Sequence, residues 1–220
     1  MAKRKLQRFA EMKDFNNVFD PLPYKNNQKH ELAGEWRARF FKNKNPVILE
    51  LGCGRGEYTI ELARFYPEKN FVGIDVKGAR LWRGAKTAIQ EDIFNAAFIR
   101  TQIERLELYF SPGEADEIWI TFPDPQLKRE REKKRLTAPG LLKLYASILK
   151  PEGIIHLKTD NEDLYHYTIY VLNQINAELL YSTDDLYHSG LSGMDLEIKT
   201  TYEKKYLEQG MNICYIRFRV

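Results

Sequence analysis

Apolar residues recur along this chain in two alternating rhythms: short continuous runs, and longer stretches at helical spacing. Val47–Leu51 is a compact apolar run with glycines directly after it, and Tyr58–Phe65 follows with apolar positions three and four apart. Phe71–Asp75 is again rich in β-forming residues and ends on an acid, and Leu81–Gln90 returns to helical spacing. The scheme continues through extended Ala97–Ile99, extended and bulky Glu117–Phe122, helical Ala138–Leu149 and extended Gly153–Lys158. Such alternation predicts a doubly wound α/β fold, a mostly parallel sheet with helices on both faces.

The flanks read differently. Gln28–Phe41 carries Leu32, Trp36 and Phe40 four apart, which predicts one helix ending before Asn43–Pro46. In the last third we expect a helix over Leu164–Ile175, a strand over Glu178–Ser182 and a loop over Thr183–Gly193. The run Asn212–Arg219 fits a late strand beside the parallel core. No repeat or linker interrupts the chain. We therefore expect a basic arm over residues 1–26 and one domain over residues 27–220.

With 43% hydrophobic and 30% charged residues over 220 positions, the chain can bury a substantial core and is not a disordered tail. Its 34 Lys+Arg against 31 Asp+Glu leave a net +3, so the overall balance does not argue for nucleic acid; local clusters must. The leader offers one, with Lys3, Arg4, Lys5, Arg8 and Lys13 against Glu11 alone, which suits either a solubilising end or an arm that orders on RNA. Cys53 and Cys214 allow no multi-disulfide framework and share no metal-ligand spacing with His30, His156, His166 and His188, so no metal is expected. Without an apolar run near the roughly 20 residues that span a bilayer, the expectation is a soluble, cytoplasmic protein.

Candidate chemistry begins at Glu50-Leu51-Gly52-Cys53-Gly54-Arg55-Gly56, directly after the first core strand, where glycines let backbone approach a ligand. A dinucleotide fingerprint would need glycine at Glu57; the spacing E-x-G-x-G-x-G instead resembles motif I of S-adenosylmethionine-dependent methyltransferases. Asp75 closes the next strand, a position from which a carboxylate reaches both ribose hydroxyls of a nucleoside. Further on, Phe122-Pro123-Asp124-Pro125 sets a carboxylate between two prolines at the carboxyl edge of the sheet. The run Lys128–Arg135 follows it, with six basic and two acidic residues, a charge pattern suited to phosphate.

Four stretches together, E-L-G-C-G-R-G, F-P-D-P with its basic run to Thr137, L-K-T-D-N at Leu157–Asn161 and T-x-Y-E at Thr200–Glu203, resemble the bacterial tRNA (guanine-N7)-methyltransferases. The resemblance implies a seven-stranded, Rossmann-like class I methyltransferase fold, with guanine-46 of the tRNA variable region as target. It implies that S-adenosyl-L-methionine lies against Glu50, Gly52, Gly54, Gly56, Asp75, Gln102 and Asp124, and that the guanine nucleotide lies against Lys128, Asp160, Thr200, Thr201, Tyr202 and Glu203. Asp124 is the expected catalytic carboxylate, and Arg129, Arg131, Lys133, Lys134 and Arg135 the expected RNA contacts. Three positions depart from the family's usual residues: Gln102 for Asp or Asn, Gln126 for Trp, and Arg131 for His. Gln102 can still accept from an adenine amine and donate to a ring nitrogen. No coiled-coil pattern decides between a monomer and a homodimer.

Three other readings compete. An amino-methylating enzyme needs D/N-P-P-Y/F, absent here; an NAD-linked oxidoreductase is disfavoured by Glu57; a non-catalytic RNA-binding protein would bind cofactor without transferring methyl.

Overall fold

The computed structural model describes residues 2–23 and 28–220, the first three of them as backbone alone. The side chains of Lys3 and Arg4, and the expected boundary between arm and domain at residues 26 and 27, lie outside the described residues. Helix α1 (Ala2–Met12) and strand β1 (Val18–Phe19) precede a π-helical turn at Trp36–Phe41. Then come β2 (Val47–Leu51), α2 (Glu57–Phe65), β3 (Asn70–Asp75), α3 (Gly78–Gln90), β4 (Ala96–Arg100) and β5 (Ala115–Thr121). The rest is α4 (Pro139–Ile148), β6 (Leu149–Thr159), α5 (Glu162–Gln174), β7 (Glu178–Thr183), α6 (Met194–Glu197), α7 (Thr201–Glu208) and β8 (Cys214–Arg219).

These strands form one sheet in the order β1-β4-β3-β2-β5-β6-β8-β7. Every pairing is parallel except those of β8, which slots antiparallel between β6 and β7. The expected seven strands are all present, and two-residue β1 adds an eighth at the edge, pairing Val18 with Phe98 and Phe19 with Ile99. Strand alternation divides the core in two: Val47, Leu49 and Leu51 pack into one layer, while Ile48 packs with Phe71, Phe98 and Trp119 into the other. All five residues of β2 are buried, as expected of a central parallel strand covered on both faces.

The helix expected over Gln28–Phe41 is not one helix. Leu32 and Trp36 are buried as the stripe required, but residues 31–35 turn and only Trp36–Phe41 winds, as a π-turn. The cause is tertiary. Gly34 adopts φ +88°, and the Glu114 carboxylate accepts from Gly34 N at 2.7 Å and Trp36 N at 3.0 Å, taking both amides out of a helical ladder.

Helix α1 docks on α3. Glu11 accepts from Trp82 Nε1 at 2.9 Å and Lys86 Nζ at 3.1 Å, and Met12 is buried. The described part of the leader is thus an ordered helix with its acid turned inward.

Candidate active site

Strands β2 and β5 lie side by side at the centre, and the chain runs outward from them in opposite directions, so the crevice beyond their carboxyl ends is where such sheets bind ligands. A cavity of about 710 Å³ opens there. The glycine loop, Asp75, Gln102, Asp124, Asp160 and Thr200 all line it, drawn from the ends of β2, β3, β4, β5 and β6 and the start of α7.

The loop between β2 and α2 is shaped by backbone that glycine tolerates. Gly56 caps α2 at φ +70°, and a Cβ there would meet the Phe98 ring at 2.5 Å. Asp75 holds the loop from the next strand: one carboxylate oxygen accepts from Gly54 N at 2.9 Å, the other from Lys77 N at 2.7 Å. Each oxygen keeps a further lone pair for a ribose hydroxyl.

Glu50 sits deeper, 4% exposed. Its carboxylate accepts from Thr59 N at 2.8 Å, from the Thr59 hydroxyl, and from Thr121 Oγ1 at 2.8 Å. Burial raises its pKa to about 7 against these hydrogen bonds. Glu50 therefore ties α2 to the end of β5 from the floor of the cavity.

Beyond Thr121 the loop is strained at both ends, with Phe122 at φ 48° and Gln126 at φ 47°, left-handed conformations that are uncommon outside glycine. Between them Asp124 is exposed; its Oδ1 accepts from Gln126 N at 3.0 Å, leaving Oδ2 for a ligand. Arg135 secures this arc from behind. Its Nε donates to Pro125 O at 3.1 Å, its Nη2 reaches Gln126 O at 3.5 Å, and its guanidinium stacks 4.2 Å from the Tyr167 ring centroid. Arg135, expected as an RNA contact, is half-buried and gives two of its donors to the loop that carries Asp124. The other cations of the run, Lys128, Arg129, Arg131, Lys133 and Lys134, are exposed and form no ion pair among the described residues; Lys134 alone reaches the cavity.

Asp160 directly follows β6 and lines the cavity, and the role of helix cap falls to its neighbour: Asn161 Oδ1 accepts from Leu164 N at 2.8 Å. Burial raises the Asp160 pKa. Thr200–Glu203 forms a capping box on α7, with Thr200 Oγ1 accepting from Glu203 N and Glu203 Oε2 accepting from Thr200 N. Thr200 and Tyr202 line the cavity, while Thr201 donates to Glu57 from both N and Oγ1.

Glu203 does not line it. The residue is fully buried, 2.7 Å from Lys158 Nζ, and also accepts from Tyr187 OH at 2.6 Å. The Lys158 ammonium donates onward to Leu196 O and Ile198 O, both at 3.2 Å. The carboxylate expected against guanine thus joins L-K-T-D-N to T-x-Y-E as one buried unit, and it is Thr200 and Tyr202 that this unit presents.

The cavity suits a nucleoside-sized ligand. Its volume falls within the usual range for small-molecule sites, and two of its lining residues keep buried oxygens without a partner among the described residues, Thr101 Oγ1 and Gln126 Oε1. The adjacent Gln102 side chain is exposed at the end of β4. Sequence reasoning missed Thr59, Thr121 and Lys158; only Lys158, lodged inside a motif already quoted, carried a readable signal.

Sheet order, glycine loop and the acid closing β3 define a class I methyltransferase. Solved structures share that fold: a 30S ribosomal A1408 methyltransferase from an uncultured bacterium superposes with a TM-score of 0.61 at 23% identity, covering 86% of this chain and 95% of that one. The 16S rRNA methyltransferase KamB gives 0.65 at 13% identity, over 87% and 95%. A family model described as a methyltransferase matches residues 44–216. Curated relatives named tRNA (guanine-N(7)-)-methyltransferase include one from Christiangramia forsetii, 52% identical over 100% of this chain and 99% of its own. Another from Bacteroides thetaiotaomicron is 46% identical, over 100% and 87%. The chain belongs to the tRNA (guanine-N7)-methyltransferase family.

Proposed function

We propose that the protein methylates N7 of a guanine in tRNA, guanine-46 of the variable region, using S-adenosyl-L-methionine. The observation that carries this reading is the convergence of Asp124 and Asp160 on the cavity that the glycine loop and Asp75 enclose, in a chain of this family. Glu50, Gly52, Gly54, Gly56, Asp75 and Gln102 hold the cofactor; Asp160, Thr200 and Tyr202 meet the guanine nucleotide, with Thr201 and Glu203 setting the position of α7. Lys128, Arg129, Arg131, Lys133 and Lys134 face the RNA backbone.

Guanine N7 carries a lone pair and no proton at neutral pH, so no general base is required, and the site's task is alignment. When bound, the cofactor supplies an electrophilic methyl: the N7 lone pair forms the C–N bond, the S–CH₃ pair returns to sulfur, and the purine takes the positive charge. The fixed Asp124 carboxylate stabilises that charge at the mouth of the cavity. Asp160 accepts from guanine N1–H and the 2-amino group, donors that adenine does not offer in that arrangement.

Incubation with labelled S-adenosylmethionine and two tRNA transcripts, guanine or adenine at position 46, tests the reading. Label in the guanine transcript alone, mapped by aniline cleavage at that base, is the expected result; label at another base, or in neither transcript, overturns it. Asp124→Asn is expected to lower the single-turnover rate about tenfold, with tRNA affinity little changed. An unchanged rate would remove Asp124 from catalysis.

A further inference from the structure

A second cavity of about 610 Å³ opens beside the first, bounded by the starts of α2 and α3 and by the docked α1. Arg55, Glu57, Arg80 and Tyr202 line both cavities, so the two form one depression running from the methyl-transfer site. Its charge is uneven. Away from the first cavity Glu61 and Glu91 share Arg64, while Glu57, where the two cavities meet, is held by Thr201. Arg55 and Arg80, where the cavities meet, and Arg83, in the second alone, are all exposed and without a carboxylate partner among the described residues. Arg8 completes the set from α1: its Nη1 donates to Ala79 O at 3.1 Å and its guanidinium lies 4.7 Å from the Trp82 ring centroid. Neither contact neutralises its charge, and exposed Lys5 stands about one turn earlier on the same helix.

We propose that this groove carries the phosphodiester backbone of the RNA substrate away from the methyl-transfer cavity, over α3 and onto α1. The proposal rests on tRNA being the substrate, and it adds a surface distinct from the basic run after Asp124. Guanidinium groups without carboxylate partners, beside a site that takes in one nucleotide, fit a polyanion continuous with that nucleotide. A protein partner would call for apolar surface, and the groove offers little beyond Ile60, Trp82 and Tyr202. The ordered α1 explains how a basic leader contributes: its inward Glu11 anchors it on α3, leaving Arg8 and Lys5 for the ligand.

The test uses Arg8→Gln/Arg83→Gln, since neither residue lines the methyl-transfer cavity, with Arg83→Glu as a second variant at an exposed helix position. Filter binding of tRNA across a salt series reads affinity without requiring turnover, and methylation kinetics run alongside. The double variant is expected to weaken tRNA binding about tenfold and to flatten the slope of log K against log[salt] by about 1 to 2. KM for tRNA rises in step, while kcat at saturating tRNA and the KM for cofactor stay at wild-type values. Arg83→Glu moves affinity the same way, and Arg8→Lys/Arg83→Lys restores the slope. Wild-type affinity and slope in both variants overturn the groove. Wild-type protein that binds tRNA through these residues yet never methylates it overturns the functional reading and leaves the groove standing.

Discussion

Lys158→Met is expected to destabilise the fold by about 3–5 kcal/mol, because it leaves a buried carboxylate without its counter-ion. Lys158 and Glu203 are each 0% exposed in their side chains and 2.7 Å apart. With the ammonium gone, Glu203 keeps only Tyr187 OH and the Thr200 amide, and the Leu196 and Ile198 carbonyls lose their donor. Burial already pushes the Lys158 pKa down, so the charged pair survives on geometry rather than on a favourable medium. Removing both charges relieves the isolated one: Lys158→Met/Glu203→Gln is expected to be more stable than Lys158→Met alone, with a coupling of about 2 kcal/mol. Urea unfolding midpoints of the four proteins measure it. A cost under about 1 kcal/mol for Lys158→Met, or strict additivity, would show that the pair does not hold α7 to the sheet. Because the same pair sets the height of Thr200 and Tyr202 over the cavity, Lys158→Met should also lower methylation more than it lowers cofactor affinity.

That pair also marks the limit of what the chain shows unfolded. Punctuation by glycine, proline and strand-end acids was legible in the chain and marked the glycine loop, Asp75 and Asp124, because each sits where backbone must turn at the carboxyl edge of a strand, whereas Asp160 was marked only by the family resemblance. Side-chain direction was not. Thr200 followed three residues later by Glu203 is the pattern of a capping box, which places the acid on the first turn of a helix, but only tertiary packing decides that this turn faces Lys158. Likewise Lys134 and Arg135 are equal members of a charge run; the neighbour that turns inward is chosen by the Tyr167 ring and two loop carbonyls. The broken helix before β2 has the same origin, since the Glu114 carboxylate that unwinds it comes from far along the chain. Local pattern set the backbone's route through the alternating strands and helices, and contacts between distant segments set the broken helix and which polar groups remain for a substrate.

Glu50→Gln is expected to remove a pH dependence built into the floor of the cavity. The folded protein holds the Glu50 pKa at about 7 against an ordinary 4.5, with burial as the main cause. A raised pKa means the native state binds the proton more tightly than the unfolded chain, so this contribution to stability is complete below about pH 4.5 and is lost as pH rises through about 7. At about 1.4 kcal/mol per pH unit, that interval amounts to about 3 kcal/mol. Glutamine is the right replacement: its carbonyl can accept from the Thr59 amide and hydroxyl, and its amino group can donate to Thr121 Oγ1, whose own proton is free to rotate away. The variant keeps the bridge from α2 to β5 without a titrating group. Urea midpoints at pH 5, 6, 7 and 8 should therefore show variant and wild type diverging in the variant's favour as pH rises, with most of the change between pH 5 and 7. A constant difference across that range would mean Glu50 keeps one protonation state throughout. A cationic ligand in the cavity favours the ionised carboxylate, so the same titration is expected to raise wild-type affinity for S-adenosylmethionine toward pH 8, and Glu50→Gln to remove that rise.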